Sequence, residues 1–199
     1  MSYPRAVYAQ IVWMVVILEG GLLGLGMGLG WWVGQPPFAR MSLEWQAVGL
    51  GIVATWPPLL GMWWCARSSW GPLRRFQHEV LEKIVPVFAG CSYLALILVA
   101  VAAGLGEEAL FRGVIQTALA DWLGTFGALL VASALFGLCH FLTPTYAAIA
   151  ALLGLYLGGL LMVFDNLLPA ILVHAGYDFG ALLYLVRIYH VRQQSHSRP

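Results

Sequence analysis

The stretch Gly104-Leu-Gly-Glu-Glu-Ala-Leu-Phe-Arg-Gly113 places two glutamates and one arginine inside an otherwise apolar part of the chain. Residues 91–103 before it and 114–120 after it contain no charged residue. An unpaired carboxylate in an apolar medium is so costly that it must find a partner or change its protonation state. Ionisable groups at membrane depth are therefore candidates for function. The stretch predicts a polar site buried in a membrane.

The composition supports a membrane location. The chain has 199 residues, of which 61% are hydrophobic and 10% are charged, and its mean hydropathy is +0.82. A soluble domain carries about 25% charged residues, so most of this surface is expected to face lipid. The net charge of +1 provides no basic field for a nucleic-acid partner.

The cysteines and the first apolar segment exclude two further classes. Cys65, Cys91 and Cys139 are odd in number and lack Cys-x-x-Cys spacing, so neither a disulfide framework nor a zinc knuckle is expected. The first apolar segment is longer than the core of a signal peptide, and no small-residue cleavage site follows it. We therefore expect an uncleaved membrane span.

The sequence predicts an all-α polytopic transmembrane helix bundle, with residues 1–199 as a single integral membrane domain. A crossing needs about 20 apolar residues, which gives about six spans. The predicted spans are residues 8–33, 45–66, 84–120, 124–142, 145–164 and 167–189. As one helix, 84–120 would be about 55 Å long, so it either crosses obliquely or breaks near Gly104-Leu-Gly106, which would give seven spans. Trp56-Pro-Pro58 predicts a kink in the second span.

The positive charges predict the orientation of the spans. They concentrate in a polar loop at 67–83 and near the two ends of the chain, and such charges mark the cytosolic side. The basic residues near the ends are Arg5, Arg187, Arg192 and Arg198. Six spans then place both termini in the cytosol and Asp121 and Asp165 outside, with Arg40 as the exception. We expect an integral protein of a cytoplasmic membrane, either the plasma membrane or an endomembrane.

The first span carries a ladder of glycines and one glutamate. The glycines recur at intervals of four, as Gly20, Gly24 and Gly28 and again as Gly26 and Gly30. This spacing allows close helix packing in lipid, within one chain or between two, so the oligomeric state stays open. For Glu19, a structural pairing is favoured over a catalytic part, because no second polar residue is near it in sequence.

The three charged residues of the 104–113 stretch are expected to have two different roles. On a helix, Glu108 and Arg112 are four residues apart and share a face, so they can form an ion pair. Glu107 lies about 100° away around the helix and has no local partner. We therefore expect Glu107 to be free to act on a water molecule, while the other two residues maintain the local structure.

Two further pairs at the same spacing punctuate later spans: Phe136 with His140, and His174 with Asp178. Glu107 lies 14 residues before residue 121, and His140 lies 17 residues after residue 123. An antiparallel hairpin would bring them to nearly equal depth. One histidine or one Glu-Arg pair is usually structural, and Phe136 is expected to be packing. Several ionisable groups on three apolar helices at compatible depth indicate a functional site.

Together these pairs resemble the motifs of the CPBP family, which comprises the type II CAAX prenyl endopeptidases and the bacteriocin-processing or Abi proteins. That family's pattern is Glu-Glu-x-x-x-Arg, then Phe-x-x-x-His, then His-x-x-x-Asn or Asp. Here it stands as Glu107-Glu108-Ala-Leu-Phe-Arg112, Phe136-Gly-Leu-Cys-His140 and His174-Ala-Gly-Tyr-Asp178. The resemblance covers residues 85–185 and ends in Asp rather than Asn.

The resemblance implies an intramembrane endopeptidase that cleaves a prenylated or otherwise membrane-anchored peptide and contacts membrane lipid. It implies that Glu107 and His140 activate water, while His174 and Asp178 stabilise the oxyanion or orient the substrate. The supporting residues would be Glu108, Arg112 and Phe136. No cofactor is required on this reading.

Several alternatives stay open at this stage. A catalytic zinc site could use Glu107, His140 and His174 as ligands, although no His-Glu-x-x-His helix is present. An inactive immunity or scaffold protein could share the fold, and a small proton-coupled or ion-coupled carrier could use the same groups with Glu19 as an additional station. A thiol protease through Cys139 is disfavoured, because its neighbour His140 points about 100° away on a helix.

Overall fold

The computed structural model describes residues 4–196, with side chains through residue 191, and it is helical apart from short connections. The α-helices are α1 (Arg5–Val33), α2 (Trp45–Ala54), α3 (Trp56–Arg67), α4 (Gly71–Glu79), α5 (Val85–Phe88), α6 (Tyr93–Glu108), α7 (Thr117–Cys139), α8 (Pro144–Phe164) and α9 (Leu167–His196). Two π-helical segments, Val80–Ile84 and Ala109–Gln116, follow α4 and α6. The predicted all-α class is confirmed.

Five helical segments in the described residues are long and apolar enough to cross a membrane, so the chain is an integral membrane protein. They are Arg5–Val33, Trp45–Arg67, Tyr93–Cys139, Pro144–Phe164 and Leu167–Val191. The third has 47 residues and includes Gly124, where the backbone leaves helical geometry at φ 69° and ψ 165°. The predicted spans 84–120 and 124–142 meet at this glycine and form one continuous helical segment. Five candidate spans are therefore found where about six were predicted. The positive φ suits glycine, which has no Cβ to clash.

Several predicted boundaries are corrected. Helix α6 begins at Tyr93 rather than at residue 84, because the Ser92 side chain caps it by accepting a hydrogen bond from the Ala95 amide at 3.2 Å. The helix continues unbroken through Gly104-Leu-Gly106. The predicted loop at 67–83 is largely helical, because it contains α4 and the first π-helical segment.

The predicted kink of the second span corresponds to an interruption between α2 and α3. Helix α2 ends at Ala54 and α3 begins at Trp56, so Pro57 and Pro58 lie in the first turn of α3. Proline is tolerated there because a first-turn amide has no partner within its own helix. Thr55 between the two helices keeps helical geometry, and its amide donates to the Gly51 carbonyl at 3.1 Å, so the prolines interrupt the hydrogen bonding of one span.

The longest apolar segment, Tyr93–Cys139, forms the centre of the bundle. It is 61% buried over its most apolar stretch, against 17% for α1. Helix α1 approaches this centre through two glycines: a Cβ on Gly26 would lie 3.3 Å from the Leu110 backbone, and one on Gly30 would collide with the turn at Gln35. The other glycine series of α1 makes no such contact: an added Cβ would meet no atom within 4 Å at Gly20, Gly24 or Gly28.

Arg40, the exception to the charge rule, has a partner at the same end of the bundle. Its guanidinium lies 3.4 Å from the Asp165 carboxylate, and its carbonyl accepts from the Leu167 amide at 2.7 Å. This exposed ion pair partly neutralises the positive charge of Arg40, which the predicted orientation left on the outer side of the membrane. The side chains of Arg192 and Arg198, which contributed to the predicted orientation, lie outside the described residues.

Candidate active site

The predicted pair of Glu108 and Arg112 is formed and fully buried. Glu108 ends α6, Arg112 lies in the following π-helical segment, and their side chains are 0% and 1% exposed. Arg112 Nη1 donates to Glu108 Oε1 at 2.9 Å, and Nη2 donates to the Gly154 carbonyl oxygen of α8 at 3.2 Å. The guanidinium therefore joins the centre of the bundle to α8 as well as neutralising the carboxylate.

Glu108 also has a partner that the sequence did not predict. Its Oε1 accepts from His174 Nδ1 on α9 at 2.8 Å. The opposite ring nitrogen, Nε2, lies 3.6 Å from Asp178 Oδ2. Because Nδ1 faces a carboxylate, it carries a proton, and an imidazolium at this place would interact with a carboxylate on each side. Glu108 thus holds α6 against α9 and orients His174.

Glu107 faces the other histidine. Its Oε2 lies 3.5 Å from His140 Nε2, which is within ion-pair range but longer than a strong hydrogen bond. The same oxygen has no hydrogen-bond partner among the described residues. Burial lowers the pKa of His140, and its Nδ1 donates to the Phe136 carbonyl at 2.8 Å. A neutral His140 therefore presents a lone pair on Nε2 toward Glu107.

Phe136 packs among the charged groups. Its ring lies 4.3 Å from Arg112 Cζ, with centroid distances of 4.5 Å to His140 and 5.9 Å to His174. A guanidinium over an aromatic face is attracted by the ring quadrupole. Phe136, predicted as packing, therefore contacts Arg112 and both histidines of the site.

The site is open on the side of His140 and Asp178. Their side chains are 28% and 30% exposed, whereas Glu108 and His174 are 0% and 3% exposed. Tyr146 stacks beside His140, with a centroid distance of 6.5 Å and an interplanar angle of 12°. Tyr146 was not predicted from the sequence, although its position in the first turn of α8, the helix that follows His140, indicates that it is near this histidine. The site is therefore accessible from this side.

The structure shows where Glu19 and Cys139, two further candidates from the sequence, lie relative to the site. Glu19 is 7% exposed, and its carbonyl oxygen lies against Gly106, the residue before Glu107. Cys139 is exposed, and both nitrogens of the neighbouring His140 face other groups. The structure thus brings Glu19 to the site and gives Cys139 no partner there.

The zinc alternative needs three ligands converging on one point. Residues 4–191 contain no group of three or more His, Cys, Asp and Glu side chains arranged to hold a metal ion. Nδ1 of His174 is engaged with Glu108 and Nδ1 of His140 with a backbone carbonyl, so Nε2 is the ligand atom that each ring could offer. Among the described residues, Glu107, His140 and His174 do not converge on one point as three ligands.

Comparison with known proteins supports the resemblance seen in the motifs. The family described as Rce1-like, type II CAAX prenyl endopeptidase, matches residues 89–180. Among curated proteins and solved structures there is no significant match. The matched range contains both glutamates, the arginine, both histidines and Asp178, and it excludes α1 with Glu19. Residues 89–180 are therefore a domain of the Rce1-like type II CAAX prenyl endopeptidase (CPBP) family, a family of proteases, within an integral membrane protein.

Proposed function

We propose that this protein is an intramembrane endopeptidase that hydrolyses a peptide bond of a membrane-anchored substrate, with prenylated CAAX-type ends as the substrate class. The observation that carries the proposal is the facing pair of Glu107 Oε2 and His140 Nε2 at 3.5 Å. The pair lies inside the family-matched range, and its histidine is at the open side of the site.

In this proposal Glu107 and His140 activate the attacking water. The water oxygen adds to the carbonyl carbon of the scissile bond, and its proton passes to Glu107 or to His140 Nε2. The tetrahedral intermediate then collapses, the C–N bond breaks, and the proton is delivered to the leaving amine. The products are a new carboxylate and a free amine, so one water is consumed for each bond. General acid–base catalysis of this kind contributes about 10²–10⁴-fold.

His174 would stabilise the oxyanion through Nε2–H. Its Nδ1–H is held by Glu108, which leaves Nε2 as the donor facing the Asp178 side. An ionised Asp178 cannot donate to an oxyanion. In the proposal Asp178 therefore orients and charges His174, and an Asp at this position, where the family's pattern has Asn or Asp, moves the donor role to the imidazole. One preorganised donor is typically worth about 10²–10³-fold in rate.

The proposed mechanism needs no metal, and the membrane supplies the route to the site. Large apolar side chains cover the outer surface. They include four tryptophans that are each 78–90% exposed: Trp31, Trp32, Trp45 and Trp122. Tryptophan is enriched where lipid meets water. A lipid-anchored substrate would reach the site from the bilayer, and we place the protein in a cytoplasmic membrane with both termini in the cytosol.

Purified protein in detergent, incubated with a prenylated CAAX-type peptide, tests the proposal, with products identified by mass spectrometry. We expect cleavage by the wild type, loss of cleavage in Glu107→Gln, and retention of activity after exhaustive chelation. Loss on chelation with recovery on adding zinc would refute the metal-free mechanism. Failure to cleave any lipidated peptide would favour a scaffold protein, and pH-dependent uptake into vesicles without proteolysis would favour a carrier.

A further inference from the structure

The backbone of Tyr146 is fixed close to His140 by the connection between α7 and α8. The Leu142 amide donates to the His140 carbonyl at 2.9 Å, which keeps this connection compact. The Thr143 side chain accepts from the Tyr146 amide at 3.1 Å, and Pro144 takes the first position of α8. A capping side chain and a proline at this position both favour the start of a helix. Tyr146 is therefore held in the first turn of α8, six residues after His140.

The ring of Tyr146 is held by neighbours from different elements. It is stacked beside His140 with a centroid distance of 6.5 Å, and it lies 5.6 Å from the ring of Phe76 on α4 at an interplanar angle of 55°. Aromatic pairs attract each other at these centroid distances. The ring also packs against a buried apolar cluster: Val80, Leu81 and Val85. These contacts restrict the ring, so its hydroxyl has a defined place near the open side of the site.

The Tyr146 hydroxyl is available to a bound molecule. Within the described residues it makes no hydrogen bond, and its oxygen is not among the inaccessible polar atoms that lack a partner. The hydroxyl of Tyr156, on the same helix, instead donates to the Ala54 carbonyl at 2.8 Å. A tyrosine hydroxyl is both a donor and an acceptor. The hydroxyl of Tyr156 thus joins two helices, whereas that of Tyr146 is left for an acceptor from outside the chain.

The open side of the site has little else to donate to a peptide. The carbonyl oxygens beside a scissile bond lose water when the peptide enters, and each then needs a donor. The partly exposed Asp178 accepts only, when it is ionised. A neutral His140 has its Nδ1–H on the Phe136 carbonyl and its Nε2 lone pair toward Glu107. Tyr146, next to this histidine, carries a free hydroxyl.

Building on the proposed function, we propose that Tyr146 is a substrate-binding residue. Its hydroxyl donates to a backbone carbonyl of the peptide beside the scissile bond, and its ring forms the wall of the site next to His140. The residue lies between the second and third motifs and belongs to neither. The hydrogen bond is present in the bound substrate and in the transition state alike. Such uniform binding lowers KM and leaves kcat unchanged.

The variant Tyr146→Phe tests this contact, because it removes the hydroxyl and keeps the ring. For cleavage of a prenylated CAAX-type peptide, we expect KM to rise about 3–10-fold, as for one lost hydrogen bond, with kcat within about twofold of the wild type. The Kd of a fluorescent form of this peptide should rise by the same factor when Tyr146→Phe is added to the non-cleaving Glu107→Gln variant. Tyr156→Phe is the matched control on α8. It should lower the unfolding midpoint and leave KM unchanged.

Two results would overturn the assignment of Tyr146. One is an unchanged KM and Kd in Tyr146→Phe. The other is a loss of kcat or of the unfolding midpoint at unchanged KM, which would make the hydroxyl a reacting or a structural group. A wild type that cleaves no lipidated peptide, or an active Glu107→Gln variant, would defeat the proposed function instead. The peptide Kd measures the Tyr146 contact without turnover, so the two failures are distinguishable.

Discussion

Replacing Arg112 by methionine should destabilise the protein far more than replacing an exposed arginine. Arg112 is 1% exposed and donates to the Glu108 carboxylate at 2.9 Å and to the Gly154 carbonyl at 3.2 Å. Methionine fills a similar volume but leaves Glu108 buried with His174 as its remaining partner. Removing one member of a buried pair costs about 3–5 kcal/mol. We therefore expect Arg112→Met to lower the free energy of unfolding by about that amount.

The assay is reversible denaturant unfolding in detergent micelles, with Arg40→Met as the matched control. Arg40 pairs with Asp165 at 3.4 Å, but the two side chains are 52% and 78% exposed. An exposed pair of this kind contributes below about 1 kcal/mol. The double variant Glu108→Gln/Arg112→Met should lose less than the sum of the single variants by more than about 0.5 kcal/mol. Equal losses for Arg112→Met and Arg40→Met, or strict additivity, would refute this account of the buried pair.

Three further predictions follow from particular contacts. Gly106→Ala should destabilise the protein by about 1–3 kcal/mol in the same unfolding assay, because its methyl overlaps the Glu19 carbonyl, while Gly28→Ala, in open space, should not. Burial lowers the pKa of His140, so nitrogen-edited NMR should find it neutral at pH 6.5, with the proton on Nδ1, which donates to the Phe136 carbonyl. A doubly protonated ring at that pH would contradict the effect of burial. Cys139→Ser should cleave peptide at the wild-type rate, because Cys139 is exposed and His140 faces other groups; an inactive variant would revive a thiol mechanism.

Local spacing predicted the parts of the site that lie on one helix. Glu108 and Arg112 are four residues apart, and this alone predicted their contact, because i and i+4 side chains share a helix face. The depth of Glu107 and His140 followed from counting residues to the intervening turn, and the structure brings the two side chains to 3.5 Å. Their catalytic roles stay predictions.

Contacts between helices could not be read in the same way. Lipid is as apolar as the interior of the bundle, so a membrane helix has no polar face to show which side is packed. For that reason α1 did not reveal that Glu19 points inward, and α9 did not reveal that His174 contacts Glu108. The π-helical geometry at Ala109–Gln116 has no signal in apolar periodicity either. The start of α6 at Tyr93 depended on the Ser92 cap, which the apolar run obscured.

The central claim is that one carboxylate, Glu107, activates water together with His140. The direct measurement is kcat/KM for cleavage of a prenylated CAAX-type peptide by wild type, Glu107→Gln and the exposed control Glu82→Gln, each checked for an unchanged unfolding midpoint. We predict that Glu107→Gln loses about 10²–10⁴-fold while the control keeps the wild-type value. A correctly folded Glu107→Gln variant that retains activity within tenfold of the control would contradict the account.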